Sequence, residues 1–153
     1  MKLAEALLLR SDMQKKLESL RERIIKNALV QEGEKPSEDP NALLDQANAI
    51  CEQLRKLVFA VNEANLKGKT SHNRTLTEAL AQRDALILRH SIVRAAATSA
   101  VKPPERYGMK EIRWVKVVDV AALEKLSDDL AKNLRELNAE IQEANWLIEV
   151  KCG

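Results

Sequence analysis

Apolar residues recur at alternating steps of three and four along four separate stretches of this 153-residue chain. That spacing returns to one face of a helix every turn, so it dictates an amphipathic α-helix wherever it persists. In the first stretch the seam is Leu3, Ala6, Met13, Leu17, Leu20 and Ile24, with Arg10 filling the single gap. It predicts a helix over residues 2–31, roughly 40–45 Å long, ended by Gly33 and Pro36. The second helix starts at Asp39-Pro40, an N-cap acceptor followed by a residue that lacks the donor a first turn cannot use. Its seam is Leu43, Ala47, Ile50, Leu54, Leu57, Val61 and Ala64, and it ends near Leu66, before Gly68.

The third helix begins at Thr75, where Thr75-Leu76-Thr77-Glu78 fits a capping box. Its stripe is Leu76, Leu80, Ile87 and Val93, with Leu86 and Ile92 beside it, and Pro103-Pro104 breaks it. The fourth runs from Asp119 to about Val150 on Val120, Leu123, Leu130, Leu134, Leu137, Ile141, Ala144 and Ile148. Four glycines and four prolines are too few for the turns of a sandwich or barrel. The expectation is a mainly all-α single domain over residues 1–153. Its architecture is an antiparallel four-helix bundle of long helices, with one short strand-containing connection between helices three and four.

That connection is residues 111–118, Glu-Ile-Arg-Trp-Val-Lys-Val-Val. Its β-branched content and alternation predict one strand. A lone strand needs a partner for its backbone groups. The choices are the loop 67–74 or a pairing that is intermolecular or folds back locally. The second is preferred, because an up-and-down bundle puts that loop at the opposite end.

The residues that interrupt the seams are the candidate site. Arg10 lies on the first seam, Arg83 and Asp84 interrupt the third, Asn62 and Asn65 close the second, and Gln142, Asn145 and Trp146 close the fourth. Arg10 and Arg83 each stand about 12 Å from their helix starts. In alternating helices all eight residues gather at one end. A buried arginine needs a carboxylate, and Asp84 is the nearest candidate, followed by Glu5 and Glu143. Such a polar cluster fixes register, forms an interface, or lines a pocket.

Chemical motifs are sparse. His72 and His90 are the only histidines and have no Cys or carboxylate at ligand spacing, so no metal site is expected. Cys51 and Cys152 match no metal or redox spacing and read as free thiols. No phosphate loop, nucleophile elbow or paired acid–base signature occurs. The expected protein is therefore not an enzyme and takes no cofactor. Leu7-Leu8-Leu9 is too short for a signal peptide, and no stretch reaches the length of a membrane span, so the sequence places the chain in the cytoplasm.

Charge nearly balances overall, with 25 basic and 23 acidic residues, but not locally. Residues 67–116 carry 11 basic and 4 acidic side chains, net +7, between flanks of −1 and −4. That middle third could face an anionic ligand. The preferred reading is that it faces the acidic helices, because its charges are spread over two loops and a helix without interleaved aromatics. Nucleic acid is disfavoured on the same ground.

With these residues placed, the chain resembles the septicolysin-like family of small bacterial proteins. The carriers are Leu3-Ala4-Glu5-Ala6-Leu7 with Arg10, and Asn27-Ala28-Leu29-Val30-Gln31-Glu32-Gly33-Glu34 with Glu38-Asp39-Pro40. They continue through Asn62, Asn65, Leu76-Thr77, Arg83-Asp84, Tyr107, Glu111-Ile112, Val118-Asp119-Val120 and Gln142-Glu143-Ala144-Asn145-Trp146. The chain departs from the resemblance after helix two, where Leu66-Lys67-Gly68-Lys69-Thr70-Ser71-His72-Asn73 replaces an Asn-Gly-type loop. The resemblance implies a helical, oligomeric protein with no catalytic residues to carry over, and the family's name implies a cytolysin. From the residues themselves, Leu8, Leu9, Ile25, Leu44 and Val58 flank the seams and favour association with copies of the same chain.

Overall fold

The computed structural model describes residues 1–101 and 113–151. It contains four long helices: α1 (Leu3–Asn27), α2 (Pro40–Lys67), α3 (Leu76–Val101) and α4 (Val120–Leu147). The described residues are all-α, as the seams require. They divide into two compact units, one of Met1–Leu76 with Gln142–Gly153, the other of Thr77–Ile141.

The first unit is built on an antiparallel α1–α2 hairpin. Leu20, Leu43 and Ile50 are buried together, with Met13, Leu17, Ile24 and Ala47 packed against them. Toward the other end of the hairpin Leu3 and Ala6 of α1 are buried, as are Leu57, Ala60, Val61 and Ala64 of α2. All but Ala60 are heptad positions of the sequence, and burying each large one stabilises by roughly 1.5–3 kcal/mol.

α1 stops at Asn27, four residues short of the expectation, because the Asn27 side chain ends it. Its amide donates to the Arg23 carbonyl at 2.8 Å, and its side-chain oxygen accepts from the Glu38 backbone N–H at 3.1 Å. Arg23 adds a hydrogen bond from Nε to Glu38 at 2.9 Å and a second contact from its Nη2. The returning loop is thus pinned to the last turn of α1, and Gly33 takes the left-handed turn (φ +86°) that the reversal requires.

α2 starts where the sequence places it. The Asp39 carboxylate accepts from the Asn41 N–H at 3.0 Å, and Pro40 opens the first turn. After α2 the chain closes a small loop. Lys69 and Thr75 form an antiparallel bridge, Thr70 N–H donates to Arg74 O at 2.9 Å, and Leu76 N–H donates to Gly68 O at 3.1 Å. Asn73 supplies the left-handed residue at φ 61°, which asparagine tolerates better than most side chains.

The second unit is an antiparallel hairpin of α3 and α4. Ala79, Val93 and Ala97 of α3 are buried, as are Ser127, Leu130, Leu137 and Ile141 of α4. His90 Nε2 and Ser127 Oγ lie 3.2 Å apart, and Arg94 pairs with Glu124 at 3.2 Å. α4 is capped by Asp119, whose carboxylate accepts from Ala122 N–H at 3.1 Å.

Two expectations are corrected. Residues 113–118 form no strand; they are exposed and irregular, leading into the Asp119 cap. Their β-branched residues are unburied on either side, so alternation had nothing to align against. Glu111 and Ile112, the first two residues of that expected strand, lie outside the described residues, as do Pro103-Pro104, Tyr107 and Cys152. Extended pairing occurs instead between Lys2 and Glu149 and within the loop after α2. On α3 the inward stripe includes Leu76, Ala79, Val93 and Ala97, whereas Ile87 is exposed.

The Asp39 cap yields a direct test. Asp39→Ala is expected to lower unfolding stability by about 1 kcal/mol, and Asp39→Gly by only a few tenths, measured by urea denaturation.

Candidate functional site

A concavity lies in the first unit, where α2 and α4 both end. It has a volume of about 410 Å³ and is lined by Ala60, Glu63, Ala64, Lys67, Gly68, Ile148, Glu149 and Lys151. The seam residue Ala64 and its neighbour one turn earlier, Ala60, both buried, supply its small lining side chains.

Gly68 is the pivot of this cleft. It caps α2, its N–H donating to Ala64 O at 2.7 Å. A Cβ added there would stand 2.5 Å from Ile148 Cδ1 and 2.7 Å from the Ala64 carbonyl oxygen. The glycine is required by this close approach, since its φ of −70° is open to any residue.

Ile148 is held against Gly68 by an antiparallel clasp. Leu3 N–H donates to Ile148 O at 2.9 Å and Val150 N–H to Met1 O at 2.8 Å. Lys2 Nζ pairs with Glu149 at 2.7 Å. That hydrogen bond and the lysine charge hold the Glu149 carboxyl below its ordinary value. On the α2 side Lys67 pairs with Glu63 at 2.8 Å.

Both carboxylates of the cleft are therefore engaged by lysines, and no imidazole or thiol is among its lining residues. The charged rim surrounds Ala60, Ala64, Gly68 and Ile148. Glu149 is shifted below its ordinary value, away from the near-neutral range in which a general acid–base group works best. Among the described residues no group of three His, Cys, Asp or Glu is placed to hold a metal ion.

The eight residues singled out in the sequence fall in both units. Arg10, Asn62, Asn65, Gln142, Asn145 and Trp146 belong to the first, Arg83 and Asp84 to the second. Asn145 is buried at 8% exposure; Arg10 and Asn65 are half-buried; Asn62, Gln142 and Trp146 are exposed. Arg83 pairs with its sequence neighbour Asp84 at 3.1 Å. None of the eight lines the cleft. Lys2 and Glu149 gave no signal in the sequence, and Ile148 only as the last residue of the fourth seam, because the clasp joins opposite ends of the chain. Gly68 did, as one of only four glycines.

The profile of a family of unknown function, DUF6847, matches residues 10–150. The chain belongs to that family. No curated protein matches it. Among solved structures, this DUF6847 protein is similar to a functionally unknown conserved protein from Corynebacterium diphtheriae, known from its crystal structure. The two are 32% identical, with a TM-score of 0.88 over 99% of each chain. The helical fold is thus shared over nearly the whole length.

Two measurements follow from the site. Gly68→Ala is expected to destabilise the protein by about 1–3 kcal/mol, the range for overpacking a close contact, read by thermal or urea unfolding. The carboxyls of Glu38 and Glu149 sit below their ordinary value, through Arg23 and Lys2 respectively. Their contribution is present above the unfolded carboxyl pKa of 4.5 and is lost as pH falls through the lower folded value. Unfolding stability should thus decline on acidification below about pH 4.5, and Glu38→Gln with Glu149→Gln should shallow that decline.

Proposed function

We propose that this DUF6847 protein is a non-catalytic, self-associating helical protein that serves assembly or interaction. The observation that carries this reading is the apolar surface left on the helices. Among the described residues more large apolar side chains are exposed than buried. Leu8, Ile25, Leu44, Phe59, Leu66, Leu88 and Ile92 all stand on helices and face solvent. Scattered exposed leucines are ordinary, but an apolar surface on this scale marks an interaction surface. The antiparallel four-helix bundle expected from the sequence is part of this proposal.

The anionic-ligand alternative draws less support. Lys67, Arg83 and Arg94, all in the basic middle third, are matched by Glu63, Asp84 and Glu124. The membrane-active alternative that the septicolysin-like resemblance implies is favoured by one feature. Trp114 (76% exposed), Val115 and Val117 lie among Arg113 and Lys116, a composition suited to a membrane interface. No helix among the described residues is long and apolar enough to cross a membrane.

Size-exclusion chromatography with light scattering tests the proposal. The expected mass is a multiple of 17.2 kDa that persists at moderate salt. A single-chain mass at every concentration would overturn it. Dye leakage from vesicles containing anionic lipid would put the membrane reading in its place.

A further inference from the structure

α3 carries two apolar seams, and only one of them is used within the chain. The inward seam includes Leu76, Ala79, Val93 and Ala97, all buried, with Arg83, Leu86 and His90 half-buried between them. The second seam lies on the opposite side of the helix: Ala81, Ala85, Leu88, Ile92, Ala95 and Ser99. Its steps are four, three, four, three and four, the spacing of a helix–helix interface. Every one of these six residues is exposed, Leu88 at 66% and Ile92 at 69%. None is charged. An uncharged seam opposite the buried one is a surface for a second neighbour.

The second seam is also a palindrome. Reflected about position 90, Leu88 exchanges with Ile92, Ala85 with Ala95, and Ala81 with Ser99. Two large residues sit at the centre and two small ones at each end. In an antiparallel helix pair the two kinds of seam position face each other. A two-fold axis at position 90 therefore sets Leu88 against the second copy's Ile92 and Ala85 against the second copy's Ala95. The small ends let the two backbones approach closely. A surface that is its own complement about a two-fold axis is what an isologous dimer contact requires.

We infer that the outward seam of α3 is the self-association surface, occupied by the same seam of a second copy in antiparallel register centred on position 90. This deepens the assembly reading above and rests on it. The seam runs about 27 Å and covers on the order of 400 Å² per chain, half of the roughly 800 Å² per partner of a standard interface. It therefore makes a concentration-dependent dimer by itself, or one contact within a larger assembly. The approach of the two Arg89 side chains on one edge opposes the pairing. Salt at about 0.15 M or above screens such surface charges.

Site-directed crosslinking tests the register. In a full-length chain carrying Cys51→Ser and Cys152→Ser, Ala85→Cys and Ala95→Cys are made as separate variants. Mixed and oxidised at about 0.15 M salt, they should give a covalent dimer containing one of each. Either variant alone should stay uncrosslinked, because like positions lie about 15 Å apart along the axis, beyond disulfide reach. Leu88→Lys, a change at an exposed position, should abolish that crosslink while the far-ultraviolet circular dichroism keeps its helical signal. An oligomer by light scattering that gives no 85–95 crosslink would overturn the α3 seam and leave the assembly reading standing. Crosslinking of Ala85→Cys to itself would overturn the antiparallel register. A monomer at every concentration would overturn both proposals.

Discussion

The antiparallel clasp between residues 1–3 and 148–150 ties the start of α1 to the end of α4 in the first unit. The last carbonyls of a helix have no partner within it. Here Lys2 Nζ approaches the Leu147 carbonyl at 3.4 Å, and Leu3 N–H takes that of Ile148. The clasp thereby ends α4 at Leu147, although the apolar pattern continues to Ile148 and the last turn bears no basic residue. It also carries Ile148 over Gly68, which is why α2 closes on a residue without a side chain. The cleft beside them is a consequence of these two events and needs no dedicated residue of its own.

Local neutralisation runs through both units. Arg23 serves Glu38, Arg55 serves Glu52, Lys67 serves Glu63, and Arg94 serves Glu124. All of these pairs are exposed enough that each contributes little to stability. Their effect is on the field outside. A basic stretch counted along the chain overstates the charge a partner would meet when acidic neighbours lie within 4 Å. The proposed association therefore rests on apolar surface more than on charge.

The four helices were legible because their inward faces repeat at 3.6 residues and their starts carry capping side chains. Asp39 and Asp119 mark two of those starts, and both cap as their chemistry demands. The ends were less legible. Asn27 stops α1 with its side chain, and nothing in the hydrophobic pattern distinguishes it from its neighbours. Residues 113–118 have strand-like composition, yet composition selects a strand only where a neighbour completes its hydrogen bonds. The cleft was hidden because Lys2 and Glu149 meet from opposite ends of the chain. The interrupting polar residues announced themselves singly, and only Asn145 among them is buried.

α3 is the element on which sequence reading had least purchase, and the reason is physical. Its inward seam holds Arg83 and His90, whereas its outward seam holds only Ala, Leu, Ile and Ser. The usual contrast between an apolar inner face and a polar outer face is therefore absent, and the apolar stripe read from the sequence mixed residues of both sides. Ile87 entered that stripe, with Ile92 set beside it, and both are exposed; Ala79 and Ala97 were left out and are buried. A single hairpin has no use for an uncharged heptad face turned to water. Leu88 and Ile92 there incur the solvation penalty that Leu76 and Val93 avoid on the other side of the same helix. In the proposed dimer this face is covered, and the symmetric order of its residues suits it to the same face of another copy of the chain.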